Sequence, residues 1–174
     1  MSKQSKRTRD AFLLEANALP GKSKPHILPR RIIARSRSVR APAGGSDAMS
    51  KDVIRTDKAG APIGPYNQGI RAGGFVFVAG EKGIDPRTNK MVPGGTAAET
   101  RQTLENVKAI LEAAGSSLDR AVATTVYLVD IGDFGEMNQI YAEYFVVDPP
   151  GRTTVGVTAL PAGARVEITV TALA

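Results

Sequence analysis

The sequence contains no cysteine and a single histidine, His26. Without cysteine the chain forms no disulfide, no thiolate metal site and no cysteine nucleophile. Because residues 49–174 lack histidine, a Ser-His-Asp triad, a histidine general base and the usual zinc sites are excluded there as well. No apolar run approaches the roughly 20 residues that a membrane-spanning helix requires. Any chemistry in residues 49–174 must therefore use arginine, lysine, carboxylates, tyrosine, hydroxyls or backbone groups.

The positive charge of the chain is concentrated at one end. Residues 1–48 hold eleven Lys and Arg against three Asp and Glu, a net charge of +8, whereas residues 49–174 hold twelve against fourteen, a net charge of −2. Residues 1–48 also contain four prolines and cannot bury enough apolar surface to fold alone. We therefore predict a disordered basic extension over residues 1–48 and one folded domain over residues 49–174.

Two other roles for the extension stay open. It is rich in arginine, contains serine and is poor in acidic residues, which is typical of an organelle transit peptide. A basic arm that binds nucleic acid or an acidic surface is the second alternative. The charge of residues 49–174 does not suggest nucleic-acid binding by the domain itself. We expect a cytoplasmic protein, or an organelle protein if the extension is a transit peptide.

Two segments have the periodicity of helices. The first is predicted to begin at a capping box formed by Thr96 and Glu99 and to end at Gly115 in a left-handed cap. The second is predicted to begin with Asp133 and Glu136 as its cap. The apolar face of the first helix comprises Leu104, Val107, Leu111 and Ala114. That of the second comprises Phe134, Met137, Ile140, Tyr141, Tyr144 and Phe145, whose aromatic members we interpret as packing residues.

Other segments have the composition of strands. Phe75–Ala79 is a short apolar run ending at Gly80, Ala121–Val129 is rich in Val, Thr and Tyr, and Thr153–Thr158 also suits a strand. In the last run Val166, Ile168 and Val170 alternate with Arg165, Glu167, Thr169 and Thr171, the period of a half-buried strand. A Pro-Gly connection at Leu160–Gly163 predicts a final hairpin. The pattern indicates an α+β fold with both helices on one sheet face.

Arg152 and Glu167 lie within strand-like sequence that has almost no other charge nearby. A charge in such a place needs a partner. One interpretation is an ion pair between the two residues across the predicted hairpin; another is a site or a subunit contact. A solvated strand face is the third.

Several motifs together resemble the Rid (YjgF-like) family of reactive-intermediate imine deaminases over nearly all of residues 49–174. They are IGPYNQG at 63–69, the Gly80 and GIDP region, LENVKAILEAAG at 104–115, TTVYLVDIGDF at 124–134, MNQIYAEYF at 137–145, and PPGR with VGVTALPAGARVEI near the end. Each motif alone is weak. Their order and spacing make the resemblance specific.

The resemblance implies a chorismate-mutase-like α+β fold, a homotrimer around a central barrel, and sites in the clefts between subunits. It implies hydrolytic deamination of 2-imino acids, in equilibrium with 2-enamino acids, to 2-oxo acids and ammonia, without metal or organic cofactor. The partners would be the small-molecule substrate and two further copies of the chain. The alternative is a non-catalytic trimeric protein of the same fold, with a binding, chaperone-like or RNA-directed regulatory role.

The resemblance also implies the site residues. Arg152 matches the arginine that holds the substrate carboxylate, and Glu167 matches the glutamate of a family motif. The chemistry of a carboxylate suits Glu167 to orienting a water or exchanging protons. Other positions that match the family site are Tyr66, Gly80, Asn138 and Thr154. A plain structural role is the alternative for Tyr66, as a packed turn aromatic, and for Asn138, as a backbone partner across the trimer. The chain departs from the family at Glu81, where glutamine is common, which places a negative charge near the expected site mouth.

Overall fold

A computed structural model describes residues 50–174 of the chain. The predicted disordered extension of residues 1–48, with its alternatives as a transit peptide or a basic arm, lies outside these residues. Within residues 50–174, no helix has both the length and the apolar character needed to cross a membrane.

Residues 50–174 fold as an α+β structure with a mixed sheet and two α-helices. The strands are β1 (Asp52–Ile54), β2 (Gly69–Ala72), β3 (Phe75–Lys82), β4 (Ile84–Asp85), β5 (Lys90–Met91), β6 (Ala121–Leu128), β7 (Gly151–Gly156) and β8 (Val166–Leu173). The helices are α1 (Gly95–Ala113) and α2 (Phe134–Tyr144). The predicted fold class is confirmed at this level.

The main sheet has six strands in the order β1-β2-β3-β8-β6-β7. All neighbouring pairs are antiparallel except β6 and β7, which are parallel. The prediction that the last two strands form a hairpin is wrong, because β6 lies between β7 and β8. Helix α2 connects β6 to β7 as a crossover, and a crossover makes its two strands parallel neighbours.

Strand β3 is longer than its apolar pattern indicates. Its pairing with β8 is interrupted between Val78 and Glu81 and then resumes, so that Lys82 lies opposite Glu167. A register irregularity of this kind bends a strand without ending it. The segment 81–95 therefore begins with strand residues, and it also contains the small hairpin β4–β5.

The core lies between the helices and one face of the sheet. The predicted alternation in β8 is confirmed, since Val166, Ile168 and Val170 are buried. Helix α1 contributes Leu104, Val107, Ile110 and Leu111, and α2 contributes Met137 and Tyr141, to the same apolar cluster. Both helices thus pack on one sheet face, as the periodicity predicts.

Neither helix has a side-chain capping hydrogen bond, although Asp133 is the N-cap residue of α2 as predicted. The N-cap of α1 is Gly94, and the Thr96 hydroxyl donates instead to the Asp133 carboxylate at the start of α2. The Glu99 carboxylate accepts from the backbone N–H of Arg165, and the Glu136 carboxylate accepts from the backbone N–H of Ala97. The Thr96 hydroxyl and the Glu99 and Glu136 carboxylates therefore connect separate elements of the fold instead of capping their own helices. The predicted end of α1 is confirmed by Gly115, whose φ is 77°.

The face of the sheet opposite the helices carries large apolar side chains that nothing in residues 50–174 covers. Phe77 is 47% exposed, and its ring centroid lies 6.2 Å from that of Phe75. Val53, Val155 and Leu173 are exposed as well. Exposed apolar groups that adjoin one another in this way usually mark an interaction surface.

Candidate functional site

Three of the six predicted site residues, Tyr66, Gly80 and Glu167, border one cavity of about 280 Å³. Its other lining residues are Ile63, Ala79, Lys82 and Pro161. Strands β3 and β8 supply most of these groups, and the loop before β2 supplies Tyr66. The Tyr66 hydroxyl accepts a hydrogen bond from the backbone N–H of Ile63 at 3.2 Å, which closes this loop on itself.

Gly80 makes room for the Glu167 carboxylate. A Cβ atom at position 80 would lie 2.1 Å from Glu167 Oε1 and 2.7 Å from its Cδ, far inside van der Waals contact. Any side chain at position 80 would therefore displace the carboxylate. The close approach of Gly80 and Glu167 explains why a glycine is needed at this point of β3.

Lys82 is a residue of this cavity that the sequence analysis did not identify. Its ammonium donates to the Gly80 carbonyl at 2.7 Å and to Glu167 Oε2 at 3.3 Å, and its side chain is only 6% exposed. The sequence did not indicate the contact of Lys82 with Glu167, because β3 was predicted to end at Gly80. Once the strand continues through the irregularity, Lys82 and Glu167 are cross-strand neighbours.

Glu81 does not line the cavity, although it neighbours two residues that do. It pairs with Ile168, so it points to the helix side of the sheet, and it is 6% exposed. Burial raises the pKa of the Glu81 carboxyl to about 7, with the Glu167 carboxylate also raising it and the Lys82 ammonium opposing the shift. The expected negative charge near the site is therefore only partly present at neutral pH.

The remaining predicted residues form a second cluster on β7 and α2. Arg152 donates from Nη2 to Asn138 Oδ1 at 2.7 Å, and its guanidinium carbon lies 4.4 Å from the centroid of the Tyr141 ring. Phe134 flanks the same guanidinium at 5.7 Å. Such stacking orients a guanidinium and leaves its other N–H groups free to bind an anion.

Tyr141 is both a core residue and the support of Arg152. Its hydroxyl is hydrogen-bonded to the Thr124 hydroxyl at 2.8 Å, which fixes the ring beneath the guanidinium. The interpretation of the aromatics in this segment as packing residues is correct for the buried Tyr141 and Phe145, whereas Phe134 is 41% exposed. The helical spacing did not reveal the second role of Tyr141. Burial raises the pKa of the Tyr141 phenol, with the Thr124 hydrogen bond and the Arg152 charge opposing the shift.

Thr154 follows Arg152 on the same side of β7. Among residues 50–174, its Oγ1 is the one buried side-chain polar atom without a hydrogen-bond partner. A buried hydroxyl without a partner costs free energy unless a ligand or water satisfies it. The hydroxyl therefore marks this position as one where a bound group would be accommodated.

The ion pair between Arg152 and Glu167, one of the interpretations of the sequence, does not form. Arg152 lies beside Thr124 on the helix side of the sheet, whereas Glu167 lies beside Tyr127 on the opposite side. Among residues 50–174 no carboxylate pairs with Arg152, and the partner of Glu167 is Lys82. The predicted site residues thus form two half-sites on opposite faces of one chain. We call them the Glu167 half-site (Tyr66, Gly80, Lys82 and Glu167) and the Arg152 half-site (Asn138, Tyr141, Arg152 and Thr154).

Comparison with known proteins identifies this α+β architecture as that of a family. The family model described as Endoribonuclease L-PSP matches residues 56–174. The chain belongs to this family, also known as the Rid or YjgF family, and the resemblance inferred from the motifs is confirmed.

Individual relatives agree with this assignment. A RutC family protein of Pyrococcus horikoshii is 52% identical over 118 residues, 68% of this chain and 94% of its own. The mouse 2-iminobutanoate/2-iminopropanoate deaminase is 44% identical over 121 residues, 70% of this chain and 90% of its own. The solved structure of E. coli TdcF with bound serine has a TM-score of 0.68 at 36% identity, covering 71% of this chain and 98% of that one.

Proposed function

We propose that the protein hydrolyses 2-imino acids, and the 2-enamino acids in equilibrium with them, to 2-oxo acids and ammonia. The observation that carries the proposal is Arg152, a half-buried guanidinium that is oriented by Asn138 and Tyr141 and has no carboxylate partner among residues 50–174. A guanidinium in this state is suited to two parallel hydrogen bonds with a carboxylate. The names of the mouse deaminase and of TdcF with bound serine support a substrate of the amino-acid type.

The proposed reaction needs water and proton transfer but no redox step. The carboxylate of the imino acid binds Arg152, which places the adjacent C=N carbon against a water molecule. Addition of water gives a carbinolamine, whose C–N bond then breaks to release ammonia and leave the 2-oxo acid. Glu167 Oε1, which accepts no hydrogen bond from residues 50–174, is the atom we assign to holding the water and exchanging its protons.

The two half-sites lie on opposite faces of one chain, so we propose that neighbouring subunits combine them. The Arg152 half-site of one subunit would meet the Glu167 half-site of the next. We propose the homotrimer implied by the family resemblance, with the exposed apolar sheet face around Phe77 closing a central barrel. Burying these side chains against other copies is favourable at about 25 cal/mol per Å² of apolar surface.

A coupled assay tests the activity. An amino-acid oxidase produces 2-iminopropanoate from alanine, and the protein should accelerate its conversion to pyruvate and ammonia. A folded protein that leaves the imine lifetime unchanged across several amino-acid substrates would favour the non-catalytic binding alternative.

Mixing two inactive variants tests the shared site. Arg152→Ala and Glu167→Gln each damage one half-site, so a mixed oligomer regains intact sites only if each site takes its halves from different subunits. Refolding the two variants together at equal concentration should restore about a quarter of the wild-type activity, the fraction of intact sites in a random mixture. The mass in solution should be that of a trimer. Absence of any recovery, or a monomeric mass, would contradict the shared site.

Replacement of Gly80 tests the geometry of the Glu167 half-site. Gly80→Ala places a Cβ where Glu167 Oε1 now lies, so the carboxylate must leave its position beside Lys82. We expect kcat for imine hydrolysis to fall at least about tenfold, equivalent to roughly 1.4 kcal/mol of transition-state stabilisation. Gly135→Ala is the matched control, because a Cβ there meets no atom within 4 Å. Equal rates for both variants would show that the position of Glu167 does not matter.

A further inference from the structure

Three ionisable residues are neighbours in the sheet where β3 passes β8. Glu81 and Lys82 are neighbours on β3, and Glu167 lies across from Lys82 on β8. Both β3 side chains are almost fully buried, whereas Glu167 keeps 18% of its side chain exposed toward the cavity that it lines. The Lys82 ammonium and the Glu167 carboxylate thus share the cavity side of the sheet, whereas Glu81 points to the helix side.

We propose that Lys82 is a positioning residue for Glu167: its ammonium engages Oε2 and so leaves Oε1 free for the reacting water. This inference rests on the proposed imine hydrolysis. Lys82 also donates to the Gly80 carbonyl, so the ammonium is held by two acceptors from two strands. The carboxylate is held by the ammonium at Oε2, while Oε1 lies over the space that Gly80 leaves open.

The surrounding charges favour this role for Lys82. On β3, the Lys82 ammonium lies opposite Glu167, and the Glu81 carboxyl interacts with Glu167 electrostatically. On β6, Tyr127 is the neighbour of Glu167. Tyr66, in the loop before β2, lines the same cavity as Glu167. Arg165 precedes β8, the strand of Glu167, and its Nη1 lies 4.0 Å from Asp133 Oδ2. Within residues 50–174, Lys82 is therefore the one cation that pairs with Glu167.

Glu81 opposes Lys82 in this arrangement. The interaction between Glu81 and Glu167 is repulsive when both are ionised, and burial together with Glu167 keeps the Glu81 carboxyl largely protonated below neutral pH. Removing the lysine would leave this repulsion unopposed and Glu167 Oε2 without its hydrogen-bond donor. The carboxylate would then no longer be held beside Gly80.

The experiment compares the wild type with Lys82→Met, Glu81→Gln and the double variant Glu81→Gln/Lys82→Met, with Lys108→Met on the exposed side of α1 as control. The pH dependence of kcat and KM for 2-iminopropanoate is measured for each. The chemical shift of the Glu167 carboxyl carbon is recorded by NMR at one pH in protein labelled with ¹³C-glutamate, the signal being assigned with Glu167→Gln.

Lys82→Met should lower kcat at least about tenfold and leave KM within about threefold, because Arg152 still binds the substrate carboxylate. The ¹³C chemical shift of its Glu167 carboxyl carbon should differ from that of the wild type at the same pH, because the hydrogen-bond donor to Oε2 is gone. The kcat of the double variant should be at least about threefold higher than that of Lys82→Met. If Lys82→Met alone does not fold, the double variant replaces it in the test. Lys108→Met should match the wild type in every measurement.

The outcomes separate this inference from the proposed function. An unchanged ¹³C chemical shift of the Glu167 carboxyl carbon in Lys82→Met or in the double variant, or a kcat of Lys82→Met equal to that of the wild type, would overturn the role of Lys82. If the chemical shift moves as expected while the wild-type protein hydrolyses no imino acid, Lys82 still holds Glu167 and the proposed reaction is what fails.

Discussion

Arg152→Ala is expected to lower kcat/KM for 2-iminopropanoate at least about 100-fold while the protein stays folded and associated. Two charge-assisted hydrogen bonds to the substrate carboxylate are lost, each worth about 1.5 to 3 kcal/mol. A loss of about 3 kcal/mol corresponds to a rate factor above 100. Folding should be affected little, because Arg152 is only half-buried and stacks on Tyr141 at the surface of the core.

Two further variants define the reason for that loss. Arg152→Lys keeps the charge but not the planar fork, so we expect a decrease of at least about tenfold. Arg87→Ala, which removes an exposed arginine paired with Asp85, should retain the wild-type rate. Steady-state imine hydrolysis and the mass in solution are the measurements. A folded Arg152→Ala variant with wild-type activity would refute the assignment of the Arg152 half-site.

The second large effect is expected at Glu81, on stability rather than on rate. The pKa of this buried carboxyl is about 7 in the folded chain against an ordinary 4.5, so between these values the folded state binds more proton than the unfolded state. The free energy of unfolding should therefore decrease as the pH rises from about 4.5 to about 7 and change no further above it. The difference amounts to on the order of 3 kcal/mol.

Glu81→Gln should abolish this pH dependence, because an amide does not titrate. Chemical denaturation at about pH 5 and about pH 8, at one protein concentration, measures the effect. Wild type should lose stability between the two values, whereas the variant should lose far less. Glu112→Gln, at an exposed position of α1, should behave like wild type. A wild-type protein that becomes more stable across this interval would show that Glu81 is ionised in the folded state.

Local sequence patterns determined both helices, most of the long strands and the identity of most candidate residues. The alternation of Val166, Ile168 and Val170 and the helical spacing of Leu104 and Leu111 predict which side chains are buried, because each pattern repeats within a single element. The motifs containing Gly80, Arg152 and Glu167 indicated the family, which the comparison confirms. Their roles in the site remain predictions.

Only the tertiary structure decided how the elements are arranged and what the charges contact. The placement of β6 between β7 and β8, which separates Arg152 from Glu167, depends on a crossover and not on any local period. The carboxylates of Glu99 and Glu136 bind groups of other elements, although their spacing is that of local caps. The contact of Lys82 with Glu167 depends on β3 continuing past an irregularity and pairing with a strand 85 residues away. Local periodicity reports burial, whereas these contacts join residues that are distant in sequence and meet only in the folded chain.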